Sequence, residues 1–140
     1  MATYNKFRQF VEDVAEKVHN LGADALTIAL TATANAPVNT NTVLANLTQI
    51  SYTNLSARVP SISASLQTAG TYKLTLADLV LTAGGGAVAA FQYIVLYNDT
   101  PTSPADPLIG WWDYGSALTL ADTETLTLNF DDANGVLQIA

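Results

Sequence analysis

The sequence predicts a mainly β protein, namely a jelly-roll-like β-sandwich of about eight strands with one N-terminal amphipathic helix. Short segments with strand-like alternation recur from residue 24 to residue 140, and turn-forming residues separate them. Such close spacing favours a sandwich or jelly roll over a meander. Hydrophobic residues make up 49% of the 140 residues, more than in disordered chains. We therefore expect a single domain over residues 1–140, with a helix at 4–21 and the sandwich at 24–140.

The helix prediction depends on one apolar stripe. Its members recur at the spacing of a single helix face: Phe7, Phe10, Val11, Val14, Val18 and Leu21. The opposite face carries a balanced set of acidic and basic residues. We expect the stripe, and Phe7 and Phe10 in particular, to dock either on the protein's own sheet or on a partner subunit.

The first half of the sandwich is predicted from alternating apolar residues. The strands expected there cover residues 25–32, 61–68, 72–76 and 79–82. Residues 43–50 suit either a short strand or a helical turn. The run Gly84-Gly85-Gly86 is followed neither by Lys-Ser/Thr nor by a helix, which argues against a phosphate loop. We expect it to form a flexible hairpin tip.

The centre of the predicted fold is the segment 91–114. Residues 91–97 are aromatic or β-branched and apolar on both faces, which predicts a central strand covered on two sides. Three prolines then interrupt the chain, and residues 108–114 return as a second strand with both tryptophans. Further strands are expected at 117–120, 124–130 and 136–139, with a turn at Gly115-Ser116 and a hairpin turn at Asn134-Gly135.

The charge distribution limits the choice of partners. The net charge is −7, and the chain after Tyr97 contains seven acidic residues and no Lys or Arg. Such a surface repels phosphate backbones, so we expect no direct nucleic-acid binding. A basic protein partner, a cation or plain solubility would each suit this charge. Without a membrane-length apolar run or a secretory signal, we expect no membrane association and synthesis in the cytoplasm.

Catalytic and metal-binding patterns are weak. His19 is the only histidine, no Gly-x-Ser-x-Gly occurs, and the absence of cysteine excludes a thiolate zinc site. Asp113 beside the tryptophans is the best glycosidase candidate, but a partner acid is not evident. Asp131, Asp132 and Asn134 suit a turn better than a calcium loop. We therefore predict no enzyme activity, no cofactor and no metal.

Several segments together have a familiar appearance. They are YNKFRQFVED at 4–13, HNLG at 19–22, YNDT at 97–100, LIGWWDYG at 108–115 and NGVL at 134–137. The chain resembles, over nearly its whole length, structural proteins of tailed bacteriophages. Within that group it is similar to capsid decoration (cement) proteins of short-tailed phages. The motifs that carry this resemblance are structural rather than catalytic.

The resemblance implies a β-rich module on the outer capsid surface of a virion, where it would clamp neighbouring major capsid protein subunits. It would be made in the host cytoplasm and self-associate as a dimer or trimer. Interfaces favour aromatic anchors and exposed loops, and these residues are our interface candidates: Tyr97, Trp111, Trp112, Tyr114, Phe7, Phe10 and loop 100–107. Arg58 is added because it can pair with an acidic capsid surface.

Two other functions remain open. A tail, neck or fibre component would use Tyr97, Trp111, Trp112 and Tyr114 as a glycan-binding platform. A virion glycosidase would need an acid pair.

Overall fold

Nine strands in three antiparallel sheets dominate the computed structural model, which describes residues 2–140. The main sheet has the order β1 (Tyr4–Lys6), β7 (Leu108–Leu118), β6 (Phe91–Asn98) and β2 (Leu26–Thr31). A second sheet has the order β3 (Ile62–Thr68), β4 (Thr71–Leu76) and β9 (Leu137–Ile139), and a third pairs β5 (Leu79–Thr82) with β8 (Thr125–Leu128). The prediction of a mainly β protein is confirmed.

Strand β6 occupies the interior of the main sheet. It pairs with β2 on one side and β7 on the other, and seven of its eight residues are buried. Its central position is therefore confirmed, as is its antiparallel pairing with β7 across the proline-containing loop. Apolar side chains on both faces explain this position, because a strand at the middle of a sheet can bury both of its surfaces.

The hydrophobic core lies on both faces of the main sheet. The larger cluster joins residues of β2 and β6 to residues of β4, β5 and β9, so it lies between the main sheet and the two smaller ones. A smaller cluster of Phe7, Ala29, Val95, Tyr97 and Leu108 fills the opposite face. Leu44 and Leu47, at a 3₁₀ turn over Leu44–Asn46, pack against this cluster.

The predicted helix over 4–21 is wrong. Its first residues form β1, and the only α-helix in the described part of the chain is α1 (Gln9–Ala15). Two side chains of the expected stripe pack in different clusters, Phe7 in the smaller and Phe10 in the larger. Val11, also in the stripe, is 56% exposed. A left-handed backbone at Lys17 (φ 66°) follows the helix and turns the chain.

Several predicted connections also differ. Strand β8 pairs with β5 and β9 pairs with β4, so the turn at residues 131–135 joins two sheets rather than two strands of a hairpin. Gly115-Ser116 lies within β7 instead of turning the chain. Of the two alternatives left open for residues 43–50, the structure has the helical turn, as a 3₁₀ turn at Leu44–Asn46. The structure has nine strands where about eight were expected. Among residues 2–140 the structure contains no helix with the length and apolar character of a membrane span.

The run of glycines at 84–86 does not form a hairpin tip, and a carboxylate side chain holds two of them. The backbone amides of Gly85 and Gly86 donate hydrogen bonds of 2.9 and 3.2 Å to one carboxylate oxygen of Asp122. Both glycines have positive φ, which lets their two amides point at one acceptor. The chain thus fills this small anion-binding loop with its own carboxylate.

Candidate functional site

A cleft lined by aromatic side chains lies between the main sheet and β8 together with the chain segment that follows it. It has a volume of about 440 Å³. Its main walls come from β1, β7 and residues 126–130, through Tyr4, Trp112, Tyr114, Leu126, Leu128 and Phe130. We call it the aromatic cleft. A mostly apolar cavity with a few polar groups at its rim is the usual form of a binding site.

The rings of the aromatic cleft support one another. The Trp112 ring centroid lies 5.3 Å from that of Tyr4 and 5.9 Å from that of Phe130, at tilted interplanar angles of 56° and 57°. These distances and tilts are favourable for aromatic pairs. Phe130 is buried in the opposite wall, so the Trp112 ring is held between Tyr4 of β1 and Phe130. The part of the cleft around Trp112 is therefore preformed.

Tyr4 reaches its place because residue 110 is a glycine. Tyr4 pairs with Trp112 in the sheet, and its ring covers Gly110 so closely that a Cβ there would lie 2.6 Å from the ring Cζ. A glycine inside a strand often marks such a close approach. The Tyr4 hydroxyl has no hydrogen-bond partner within residues 2–140, and burial raises the pKa of Tyr4.

Tyr114 stands at the mouth of the cleft on a bulge of β7. Register fixes Tyr93 opposite Asp113 and Phe91 opposite Leu118, so residues 114–117 face a single residue of β6. Asp113 Oδ1 accepts hydrogen bonds from the backbone amide of Gly115 (2.7 Å) and from Gln92 Nε2 (2.9 Å). The bulge is therefore fixed, and it leaves Tyr114 49% exposed.

Strand alternation separates Trp111 from Trp112. Trp111 points to the opposite face of the main sheet, where its ring centroid lies 4.5 Å from that of Phe7. Tyr97 is buried in the same smaller cluster. Three of the interface candidates are therefore together, but away from the aromatic cleft. The four-ring platform expected from Tyr97, Trp111, Trp112 and Tyr114 does not form, and only Trp112 and Tyr114 of these four line the aromatic cleft.

Arg58 lies at the outer edge of β2. Its guanidinium donates to the backbone carbonyl of Ile28, and its own carbonyl accepts from the Ile28 amide at 2.9 Å. The guanidinium carbon also lies 3.6 Å from the ring centroid of Tyr52, whose hydroxyl accepts from the Leu30 amide at 3.0 Å. Burial raises the pKa of Tyr52. Arg58 is therefore engaged within the chain rather than freely solvated.

Phe10 belongs to a partly polar corner of the larger core. Its ring centroid lies 5.2 Å from that of His19, whose Nδ1 is 3.1 Å from Asn98 Nδ2. Asn98 also donates to Asp24 at 2.6 Å. Burial lowers the pKa of His19, while the carboxylates of Asp13 and Asp24 act in the opposite direction. These contacts join α1, the following loop and the end of β6.

The carboxylate of Asp131 is used by its own turn. It accepts hydrogen bonds from the amides of Ala133 and Asn134, at 2.8 and 2.9 Å, and from Asn134 Nδ2 at 2.7 Å. Hydrogen bonding by Asn134 lowers the pKa of Asp131. Within residues 2–140 no three His, Asp or Glu side chains are grouped as metal ligands.

Sequence reasoning missed two walls of the aromatic cleft, Tyr4 and Phe130. Tyr4 was assigned to a helix, and Phe130 to the end of a strand with no defined role. The signal for Tyr4 was Gly110, an isolated glycine within an otherwise apolar strand. Comparisons with protein-family models, curated proteins and solved structures gave no match.

Proposed function

We propose that the protein is a non-enzymatic virion component that binds the outside of a tailed-phage capsid. There it would stabilise contacts between major capsid protein subunits. The resemblance of its motifs to cement proteins supports the phage assignment, and a jelly-roll-like arrangement of the strands is part of the same proposal. The observation that carries a binding role is the exposed Tyr114, held on a fixed bulge beside the aromatic cleft.

A fixed aromatic anchor suits binding because little conformational freedom is lost on contact. Tyr114 offers a large ring with one polar group, the kind of side chain that dominates interface energies. Asp113 holds the bulge through two hydrogen bonds, so the backbone that carries the Tyr114 ring is fixed. Many symmetry-related copies on a capsid would make individually modest contacts collectively strong.

The remaining features of the proposal concern partners and location. The partner would be the major capsid protein, and the protein would form dimers or trimers. Made in the host cytoplasm, it would act on the outer capsid surface without contacting nucleic acid or membrane. The seven acidic residues after Tyr97, with no Lys or Arg among them, support this because they repel phosphate groups.

Imaging of mixed particles tests the proposal. Purified protein is added to mature undecorated capsids and examined by cryo-microscopy, with binding measured by co-sedimentation. We expect density at regular positions between capsomers, and about a tenfold or greater loss of affinity for Tyr114→Ala. Val38→Ala is the control, because Val38 is similarly exposed (52%) and outside the cleft lining. Bare capsids, with the protein only at the tail vertex of native virions, would refute the proposal.

A tail, neck or fibre protein that binds glycans is the second candidate. It is favoured by one observation, the partly buried Trp112 beside the exposed Tyr114 in the aromatic cleft. Sugar rings stack on such aromatic faces, and nearby polar groups can bind their hydroxyls. Oligosaccharide binding that Tyr114→Ala abolishes, together with copurification with tails, would support this alternative.

A further inference from the structure

The outer edge of β8 has unpaired backbone groups. In the β5–β8 pair, Thr82 lies opposite Thr125, yet the Thr82 amide and carbonyl bond instead to Ser56 on the other side of β5, at 2.9 and 3.0 Å. Thr82 and Thr125 therefore form a non-hydrogen-bonded pair. Since such pairs alternate along an antiparallel ladder, the amides and carbonyls of Thr125 and Thr127 point away from β5.

This open edge forms part of the aromatic cleft. Thr127 lines the cleft, whereas Thr125 does not. Neither residue's backbone groups bond to another described residue. The cleft thus combines free main-chain donors and acceptors on one wall with the Trp112 and Tyr114 rings on another. An extended peptide uses these two features together when it adds a strand to a sheet, because its main chain binds the edge and its side chains fill the pockets.

Charge indicates the composition of such a peptide. Asp131 is the one charged residue in the cleft lining, and the nearby Lys73, whose Nζ donates to the Ala133 carbonyl at 3.1 Å, lies outside that lining. A segment with Lys or Arg side chains would meet complementary charge here. Alternate apolar side chains would contact Leu126 and Leu128.

We propose that the aromatic cleft binds an extended peptide segment of alternating apolar and basic residues, which adds to β8 as a strand. The identification of that segment with an arm or loop of the major capsid protein rests on the proposed function. The strand-addition site itself depends only on the geometry of β8 and the cleft.

Peptide binding tests this site with Trp112 as its reporter. In a Trp111→Phe background Trp112 is the only tryptophan, so its fluorescence reports the cleft. The probes are an alternating Lys–Val peptide and overlapping peptides that span the major capsid protein. We expect saturable binding of the Lys–Val peptide and of at least one capsid peptide. Slower hydrogen exchange at the Thr127 amide should accompany this binding, in protein without any substitution at Thr127.

Proline substitutions separate edge pairing from general apolar contact. Thr127→Pro removes an outward donor without breaking the β5–β8 ladder, since proline is tolerated where the amide faces solvent. Losing one such hydrogen bond should weaken binding about tenfold. Thr125→Pro is the matched control, because it makes the same change on the same edge outside the cleft lining, and we expect its affinity to stay near that of the parent protein.

The outcomes distinguish this inference from the proposed function. If capsids are decorated but no peptide binds, or if binding leaves exchange at Thr127 unchanged, the strand-addition site is refuted and the capsid function stands. If the Lys–Val peptide binds through the β8 edge but capsids stay bare, the site stands and the capsid function fails. Oligosaccharide binding in the cleft with no peptide binding also overturns the inference.

Discussion

The outer edges of β2 and β8 differ in how their backbone groups are satisfied. At β2, the segment around residues 49–58 binds the outward groups of Ile28 and Leu30 through two backbone groups and the side chains of Tyr52 and Arg58. At β8, the corresponding groups of Thr125 and Thr127 have no partner among the described residues. Edge strands that stay open are templates for pairing with another chain, so the two edges suit different roles.

The two tryptophans show the same asymmetry. Trp111 packs with Phe7 on the face of the main sheet that Leu44 and Leu47 cover, whereas Trp112 lines the aromatic cleft on the other face. These neighbouring residues of one strand therefore lie on opposite faces of the sheet, Trp111 against the smaller cluster and Trp112 in the wall of the aromatic cleft. Aromatic content alone does not identify an interface. The face of the strand on which a ring lies, and whether the backbone groups of the nearest edge are paired, distinguish the two tryptophans.

Amide hydrogen exchange should show the largest contrast between the two edges. The amides of Ile28 and Leu30 donate to partners in the segment 49–58, which covers the edge of β2. We expect these amides to exchange only when that segment unfolds from the edge. Those of Thr125 and Thr127 should exchange more than about a thousandfold faster, after correction for intrinsic rates. Exchange measured by NMR on the unliganded protein tests this. Similar exchange rates at the two edges would mean that the segment 49–58 detaches easily from β2.

Removing the Arg58 side chain should weaken the cover on the outer edge of β2. In Arg58→Ala the Ile28 carbonyl loses its hydrogen bond and Tyr52 loses the stacked cation. We expect the free energy of unfolding to fall by about 2–3 kcal/mol. Urea denaturation measures this change. Arg8→Ala is the control, because replacing that exposed arginine should change the free energy of unfolding by less than about 0.5 kcal/mol. Equal effects of both substitutions would contradict the assigned role of Arg58.

Acid should weaken the turn beside the open edge, with the smallest expected effect. The folded-state pKa of Asp131 is lowered from its ordinary value of 3.8, mainly by hydrogen bonds from Asn134. A lowered carboxyl pKa contributes stability above the unfolded-state pKa, and that contribution is lost as pH falls through the folded-state pKa. Below about pH 4, the Tm of the parent protein should therefore fall more than that of Asp131→Asn.

Thermal denaturation from pH 7 to pH 2 measures this difference. Asp132→Asn is the matched control, since the neighbouring carboxylate takes no part in the three hydrogen bonds to Asp131. It should follow the parent protein across the acid range. Parallel curves for the parent protein and Asp131→Asn would show that this carboxylate does not support the turn.

Local patterns in the sequence predicted most strands and the β6–β7 pair, but not most of the other strand partners. The β2 and β6 segments carry alternating or continuous apolar residues that indicate strands by themselves. The Asn134-Gly135 turn was also visible, but its two flanking strands pair with β5 and β4 rather than with each other. Pairing depends on contacts between distant residues, which the local pattern does not contain.

The candidate site shows the same limit. Trp112 and Tyr114 were selected as anchors from residue type, and both line the cleft. Tyr4 was missed because the period of the neighbouring stripe favoured a helix, whereas pairing of Tyr4 with Trp112 places it in the sheet. Arg58 was selected as an isolated cation. Its contacts with Ile28 and Tyr52 arise only when residues 28 and 58 meet at the edge of β2.

The pairing of β1 with β7 has a consequence for folding. Tyr4 lies opposite Trp112, so more than a hundred residues separate these sheet partners along the chain. The β3–β4 hairpin needs only a tight turn and can close early, but the main sheet must wait for distant segments, which slows folding. During synthesis on the ribosome, the apolar strand β2 emerges well before β6, its only strand partner in the main sheet. Conditions that slow translation would prolong this exposure and favour aggregation over correct assembly.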